Sequence, residues 1–147
     1  MDPNTLPELS QFTHSIDLQL RFNDIDILGH LNNTVYFSFF DTGKARFFEH
    51  IVDGNIDWKR VDVVIANIDC CYISPIFFGE DIRVYTRCMS ISNKSFRLQQ
   101  VLVEETKGVI KAAAETVMVS FDRETQKSVE LPDLWRQALE HSMVITR

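Results

Sequence analysis

Apolar and polar positions alternate in several stretches of the chain, and this period-2 pattern predicts strands. Residues 15–22 form the first such stretch, in which every second residue is apolar: Ile16, Leu18, Leu20 and Phe22. Four later extended runs are bounded by turn residues: 61–74, 81–92, 95–104 and 109–121. Short turns between successive runs make consecutive antiparallel pairing the simplest topology.

After the first strand, apolar residues recur with the longer period of a helix, and this predicts a buried helix. Asn33 or Thr34 is expected to cap its N-terminus, and the helix is expected to end near His50. Its apolar surface is wide enough to predict burial on most sides, and Gly43 within it predicts a close approach to a sheet. The pattern predicts a short final helix with Pro132 at its first position.

The order of one strand, a long helix, four strands and a short helix predicts an α+β fold. A curved antiparallel sheet of about five strands would wrap around the central helix, and the 147 residues are expected to form one domain, 1–147. The chain has 11 phenylalanines, and six are expected around the helix and its start: Phe22, Phe37, Phe39, Phe40, Phe47 and Phe48. The other, more polar sheet face and the edge strands are expected to mediate self-association.

Charge and composition narrow the possible partners. The chain has 15 Lys and Arg against 21 Asp and Glu, a formal charge of −6, so a broad phosphate-binding surface and a nucleic-acid partner are not expected. Neither a basic leader nor an apolar run long enough for a membrane span is evident, and the cytoplasm is the expected location. Cys70, Cys71 and Cys88 have no CxxC spacing and are interpreted as reduced thiols.

Residues 21–33 (RFNDIDILGHLNN) concentrate polar side chains between the first strand and the helix. The carboxylates of Asp24 and Asp26 and the imidazole of His30 precede a helix N-terminus, where free N–H groups can stabilise an oxyanion. A carboxylate in such a place can act as a base or a nucleophile. The same residue types also form caps and turns, and composition alone favours that structural interpretation.

More specific motif assignments for this segment are not supported by the rest of the sequence. Asp24-x-Asp26 is similar to the nucleophile motif of haloacid-dehalogenase-type phosphatases, but the chain lacks the alternating βαβ units of that fold. Asp24, Asp26 and His30 could bind a metal, yet no second ligand cluster completes a closed site, so no metal is expected. GxSxG, P-loop and GxGxxG motifs are absent from the sequence. The remaining interpretation is a reaction that uses a carboxylate and no bound cofactor.

The run R-F-x-D-x-D-x-x-G-H-x-N-N, followed by Tyr36 and the aromatic helix, resembles the opening signature of the 4-hydroxybenzoyl-CoA thioesterase-like family of hotdog-fold acyl-CoA thioesterases. Tyr72, Pro75, Gly79-Glu80-Asp81 and Asn93-Lys94-Ser95 extend the resemblance to about residues 12–122, the expected core, with a C-terminal helix at about 132–143. The hotdog fold is a curved antiparallel sheet around a central helix, which agrees with the architecture that the pattern predicts.

This resemblance implies hydrolysis of an acyl- or aroyl-CoA to the free acid and CoA, so that CoA is part of the substrate and no cofactor is needed. It implies that Asp26 is the nucleophile or base. The implied oxyanion donors are backbone amides of Asn32, Asn33 and Thr34, and Asn33 stands where relatives often carry Tyr or His. His30 is expected to orient Asp26 or contact the pantetheine arm, although a packed loop histidine is an equal alternative. Asp24 is expected to be structural and to pair with Arg21 or its own turn.

Weaker expectations concern the substrate and the assembly. Tyr36, Lys94, Ser95 and Arg97 are candidate substrate-binding residues, because CoA phosphates require local cations. Arg83 and Arg87 on the preceding strand are further candidates for this patch. The family places its site between two protomers, so the resemblance implies a homodimer or homotetramer.

Two other functions stay open at this stage. A hotdog module could bind acyl-CoA or an acyl carrier without catalysis, since a fold does not determine a function. A hotdog enoyl-CoA hydratase is a less favoured alternative, because the segment from Asp26 to His30 lacks the Asn-Pro element of those enzymes.

Overall fold

The computed structural model describes residues 1–54 and 62–144. Its main elements follow the predicted order, with one additional two-residue strand: β1 (His14–Leu18), α1 (Asn33–Ile51), β2 (Val63–Tyr72), β3 (Ile82–Ile91), β4 (Ser95–Glu104), β5 (Val109–Asp122), β6 (Lys127–Ser128) and α2 (Asp133–Ser142). Residue 61, the predicted start of the second strand, lies outside the described residues. The predicted α+β class is confirmed: a curled antiparallel sheet of five strands, one long helix and one short C-terminal helix.

The strands pair in the order β1-β3-β4-β5-β2, and β6 adds to β5. Consecutive pairing holds from β3 to β5, but the prediction is wrong for β2, which pairs with β5. The reason lies in residues 73–81, which we call the β2–β3 loop. This loop leaves the sheet and reaches the start of α1, where the Leu31 N–H donates to the Ile76 carbonyl at 2.7 Å. It therefore carries the chain from one edge of the sheet past the helix start to the other side.

The first strand is shorter than predicted, because it ends at Leu18 rather than near Phe22. A 3-10 turn follows at Phe22–Asp24, in which the Asp24 carboxylate accepts from the Arg21 backbone N–H at 2.9 Å. A side chain that bonds local backbone in this way competes with a strand ladder. Phe22 is consequently 79% exposed and is not part of the helix–sheet core.

Helix α1 packs one face against the sheet through buried aromatic side chains: Tyr36, Phe39, Phe40, Phe47 and Phe48. Gly43 marks the predicted close approach, since a Cβ there would lie 2.8 Å from a methyl carbon of Val84. The helix is not buried on most sides, because Phe37 on its outer face is 39% exposed. At its C-terminal end, Phe48 packs edge-on against Trp135 of α2 at 5.0 Å.

The outer face of the sheet is less polar than predicted at its centre. Val101, Val103 and Ala113 form a buried apolar cluster on this face. Residues before β1, including Leu6 and Phe12, pack on that cluster. This part of the face is therefore covered within the chain, and the free edges of β1 and β2 are the better candidates for self-association.

Candidate functional site

The 3-10 turn gives Asp24 a structural position. Its carboxylate is 3% exposed and accepts from both the backbone N–H and the guanidinium of Arg21, the latter at 3.1 Å. Its backbone carbonyl accepts from the Asn32 N–H at 2.9 Å, which ties the turn to the start of α1. Burial alone would raise the pKa of Asp24, but the hydrogen bonds and charge of Arg21 outweigh burial and lower it. Asp24 thus pairs with Arg21, as the sequence predicts.

Asp26 lies in a second turn, which engages one of its two carboxylate oxygens in a hydrogen bond. The backbone N–H of Asp26 donates to the His30 carbonyl at 3.0 Å, and Gly29, with φ +89°, donates back to the Asp26 carbonyl at 3.0 Å. Oδ1 accepts from the Leu28 N–H at 2.9 Å, which fixes the carboxyl plane. Oδ2 lies 3.8 Å from His30 Nδ1, too long for a hydrogen bond. The Asp26 side chain is 28% exposed, and its Oδ2 accepts no hydrogen bond within the described residues.

Of the three backbone donors that the resemblance implies at the start of α1, one has no acceptor within the described residues. Asn32 is the N-cap residue, so the cap falls one position before the predicted Asn33. The N–H of Asn32 donates to Asp24, and that of Thr34 donates to the Asn32 side chain at 3.0 Å. Asn33 occupies the first helical position, where an N–H has no helical acceptor, and no other acceptor is found within the described residues.

A groove of about 230 Å³ lies at the start of α1, and Asn33 is one of its lining residues. It is lined by residues of the helix start, β2 and the β2–β3 loop: His30, Leu31, Asn33, Tyr36, Tyr72, Ile73, Ser74 and Pro75. Tyr36 and Tyr72 pack edge to face at 4.8 Å, and the Tyr72 hydroxyl donates to the Asn33 carbonyl at 3.2 Å. Burial chiefly raises the pKa of both hydroxyls, so both are neutral near pH 7. The groove can therefore offer an apolar wall with neutral hydrogen-bonding groups.

The structure brings some predicted site residues together and separates others. His30, Asn33 and Tyr36 line one groove, with Asp26 beside His30. Lys94, Ser95 and Arg97 lie toward the other end of the helix, because the neighbouring Phe96 packs with Phe48 and Trp135. Since α1 has 19 residues, these two ends are roughly 28 Å apart in one chain.

The arginines of the expected cationic patch are already paired on the outer sheet face. Arg97 lies 3.5 Å from Glu115, and Arg87 donates to Gln99 at 2.7 Å. Arg83 pairs with Asp17 on β1. Within the described part of a single chain, none of these three arginines is free at the groove.

Several residues at the groove were not singled out as site residues from the sequence. Ile73 and Ser74 were predicted as the end of the extended run 61–74, but they lie beyond β2, in the β2–β3 loop. Tyr72 and Pro75 carried a signal only through the family resemblance. Lys111 supports the β2–β3 loop from β5, and its only signal was a lone charge inside an otherwise apolar run.

Further observations concern metal ligands, membrane-spanning helices and cysteines. Within residues 1–54 and 62–144, no group of three or more His, Cys, Asp or Glu side chains is arranged to hold a metal ion. None of the helices in the described part of the chain is long and apolar enough to cross a membrane. The thiols of Cys70, Cys71 and Cys88 are all free.

Comparisons with known proteins agree on one family and one fold. Residues 20–139 match the thioesterase-like superfamily. The uncharacterized protein YsmA of Bacillus subtilis is 25% identical over 133 residues, which cover 90% of this chain and 89% of YsmA. The family match includes the complete segment from Arg21 to Asn33.

Two solved structures are similar over most of their length. A thioesterase from Thermus thermophilus, complexed with coenzyme A and Zn, is 25% identical with a TM-score of 0.80, covering 90% of this chain and 96% of that one. A predicted thioesterase from Bacillus stearothermophilus is 26% identical with a TM-score of 0.79, covering 87% and 94%. The hotdog fold and the family resemblance predicted from the sequence are confirmed.

Proposed function

This chain belongs to the thioesterase-like superfamily, and on that premise we propose that it hydrolyses an acyl- or aroyl-CoA to the free acid and CoA. One observation carries the proposal. Asp26 Oδ2 accepts no hydrogen bond and the Asn33 N–H has no acceptor within the described residues, and both residues are tied to the same short hydrogen-bonded loop. The similar structure that holds coenzyme A supports a ligand of this class.

Asp26 supplies the electron pair in this proposal. As a general base, it takes a proton from the water that adds to the thioester carbonyl carbon. The C–S bond then breaks, and the CoA sulfur leaves with that proton as the thiol. As a nucleophile, Asp26 would displace CoA to form a mixed anhydride, which water then cleaves to the acid. The same carboxylate serves both routes, and neither calls for a cofactor.

The Asn33 N–H is the proposed donor to the carbonyl oxygen as negative charge develops there. Such a donor contributes most when it is fixed before the reaction, and the Asn32 cap fixes this one. The positive end of the α1 dipole acts in the same direction. His30, whose ring is 33% exposed beside Asp26 and the groove, is proposed to orient the carboxylate or contact the pantetheine arm.

We also propose that the complete site requires a second copy of the chain. Ile27 and Leu28 at the tip of the Asp26 turn are 101% and 73% exposed, and a partner chain would cover them. Val64 and Ile65 are exposed on the edge strand β2, a surface that suits pairing between copies. A partner could bring its Lys94, Ser95 and Arg97 region near the groove for the CoA phosphates. A homodimer or homotetramer in the cytoplasm accordingly stays our expectation.

The central experiment follows free thiol during incubation with a panel of acyl- and aroyl-CoAs. We expect Asp26→Asn to lower kcat by about 10²–10⁴, whereas Asp133→Asn, which changes an exposed carboxylate at the start of α2, leaves it unchanged. Absence of turnover by the wild type with tight CoA binding in calorimetry would favour the non-catalytic module. Hydration of an enoyl-CoA without thiol release would favour the hydratase.

Subunit mixing tests the shared site. Asp26→Asn and Arg97→Ala variants are each expected to be weakly active, and a mixture exchanged through partial denaturation should regain activity if the two residues act from different chains. Light scattering after gel filtration gives the number of chains. A fully active monomer would contradict this part of the proposal.

A further inference from the structure

Lys111 is the charged residue of an apolar segment in β5, and a β-bulge determines where its side chain goes. Leu102 pairs with Ala112, but Val103 pairs with Ile110, so Lys111 is the extra residue between two ladder pairs. A bulge of this kind redirects the side chain of the extra residue. The Lys111 side chain is only 10% exposed, although lysine is rarely buried without a partner.

The ammonium of Lys111 contacts three groups of the β2–β3 loop. Nζ donates to the Pro75 carbonyl at 2.9 Å and lies 3.1 Å from a carboxylate oxygen of Glu80. It also lies 5.8 Å from the centre of the Phe77 ring, within cation–π range. The backbone carbonyl of Lys111 accepts from both Ile73 at 2.9 Å and Ser74 at 3.1 Å. One residue thus holds this loop at its beginning and, through Glu80, near its end.

Glu80 completes the attachment from within the loop. Its second carboxylate oxygen accepts from the Phe77 backbone N–H at 2.6 Å. The pair formed by Lys111 and Glu80 is mostly buried, where ion pairs are screened less by salt than at an exposed surface. The charge of Lys111 is neutralised by these contacts, so it is poorly suited to bind a CoA phosphate directly.

The loop that Lys111 holds is in turn bonded to both parts of the candidate site. The Leu31 N–H donates to the Ile76 carbonyl at 2.7 Å, one residue before the Asn32 cap. His30 forms an antiparallel bridge with Phe77, and the His30 carbonyl accepts from the Asp26 N–H at 3.0 Å. A continuous set of hydrogen bonds therefore runs from Lys111 through the loop to the Asp26 turn and the Asn33 helix start.

We infer that Lys111, presented by the bulge in β5 and paired with Glu80, is a positioning residue that sets the distance between Asp26 and the Asn33 N–H. The inference rests on the proposed thioester hydrolysis. Small displacements of reacting groups have large effects on rate, whereas they change substrate affinity less. Loss of the Lys111 charge should therefore lower kcat more than it raises KM.

The test compares Lys111→Met with Lys111→Arg and with Lys107→Met, a control in the exposed turn before β5. We expect Lys111→Met to lower kcat by about tenfold to 10²-fold, with a much smaller change in KM. Lys111→Arg, which keeps the charge, should recover most of kcat. Hydrogen exchange of the Leu31 amide should become faster in Lys111→Met and stay unchanged in Lys107→Met, since that amide reports the loop contact without needing activity.

Each outcome decides the inference. Unchanged kcat in a folded Lys111→Met protein would overturn it, even if Leu31 exchange becomes faster. If Lys111→Met does not fold, Glu80→Gln replaces it, because Gln keeps an acceptor for Phe77 but removes the ion pair. If the wild type hydrolyses no thioester, the proposed function fails, and unchanged Leu31 exchange in these variants would separately show that Lys111 does not hold the helix start.

Discussion

Replacing Asn33 with proline would remove the backbone N–H at the start of α1 that has no acceptor within the described residues. Proline suits this first helical position, because its ring fixes φ at about −65° and the missing N–H makes no helical hydrogen bond. The preceding Asn32 has φ −62° and ψ 134°, the extended conformation that a following proline favours. The substitution therefore removes the proposed oxyanion donor and leaves the helix start in place.

The expected effects on stability and on rate are very different in size. The Asn32 cap still accepts from the Thr34 N–H, and the Asn33 carbonyl, which proline retains, still accepts from Tyr72. We therefore expect the free energy of unfolding to change by less than about 1 kcal/mol. Loss of one oxyanion donor typically lowers kcat by about 10²–10³, or roughly 2.7–4 kcal/mol in activation free energy.

Thiol release from the best acyl-CoA substrate measures this effect, and circular dichroism confirms the fold of the variant. Asn33→Ala is the matched control, because it removes the side-chain amide and keeps the N–H. We expect Asn33→Ala to retain most of kcat. A folded Asn33→Pro protein with the same kcat as Asn33→Ala would show that this N–H does not stabilise the transition state.

Two further predictions concern stability. Gly43→Ala should lower the free energy of unfolding in chemical denaturation by about 1–2 kcal/mol, because its Cβ would lie 2.8 Å from Val84 and 2.9 Å from Gln100 Nε2. Overpacking typically costs about 1–3 kcal/mol, and the three contacts shorter than 3.0 Å favour a cost of about 2–3 kcal/mol here, which outweighs the helix-propensity gain of about 1 kcal/mol. A neutral or stabilised variant would contradict this prediction. Burial, followed by the charge of nearby His50, lowers the pKa of His14 from 6.5 to about 4. As the pH falls, the His14 side chain is protonated in the unfolded chain before it is protonated in the folded protein. The free energy of unfolding should therefore fall as the pH drops from about 6.5 to 4, by about 2 kcal/mol between pH 7 and 5. His14→Phe should remove this decrease.

The strands that form the centre of the sheet are predictable from the sequence because their determinants are local. Residues 95–104 were predicted as a strand, and β4 occupies the same residues. Its neighbour β3 is one residue shorter than its predicted run at each end, and β5 is one residue longer at its C-terminal end, since Gly108 and the residues around Asn93 provide turn chemistry at the boundaries. The alternation of apolar and polar residues, together with the turns at the strand ends, determines both the strand and its nearest partner.

The position of β2 was not predictable in the same way. Its residues have extended character, but their partners on β5 lie 40 to 57 residues further along the chain, from the pair Tyr72 and Ala112 to the pair Val63 and Ser120. The choice depends on contacts of the β2–β3 loop with Leu31 and Lys111, which no short window of sequence contains. The same contacts form the groove wall, so the missing part of the topology and the missing part of the site have one physical cause.

The two carboxylates of the Asp24-x-Asp26 motif show why residue type alone could not assign the chemistry. Both are Asp residues in one loop, yet Arg21 donates hydrogen bonds to both oxygens of Asp24. One oxygen of Asp26 accepts from the Leu28 N–H, and the other accepts no hydrogen bond within the described residues. The two roles depend on each other, because the Asp24 carbonyl accepts from Asn32 and so helps to place the cap of α1. A carboxylate that is fully paired can hold a loop, and one that is half paired can react; the hydrogen bonds made by each oxygen, rather than the spacing of the motif, distinguish them.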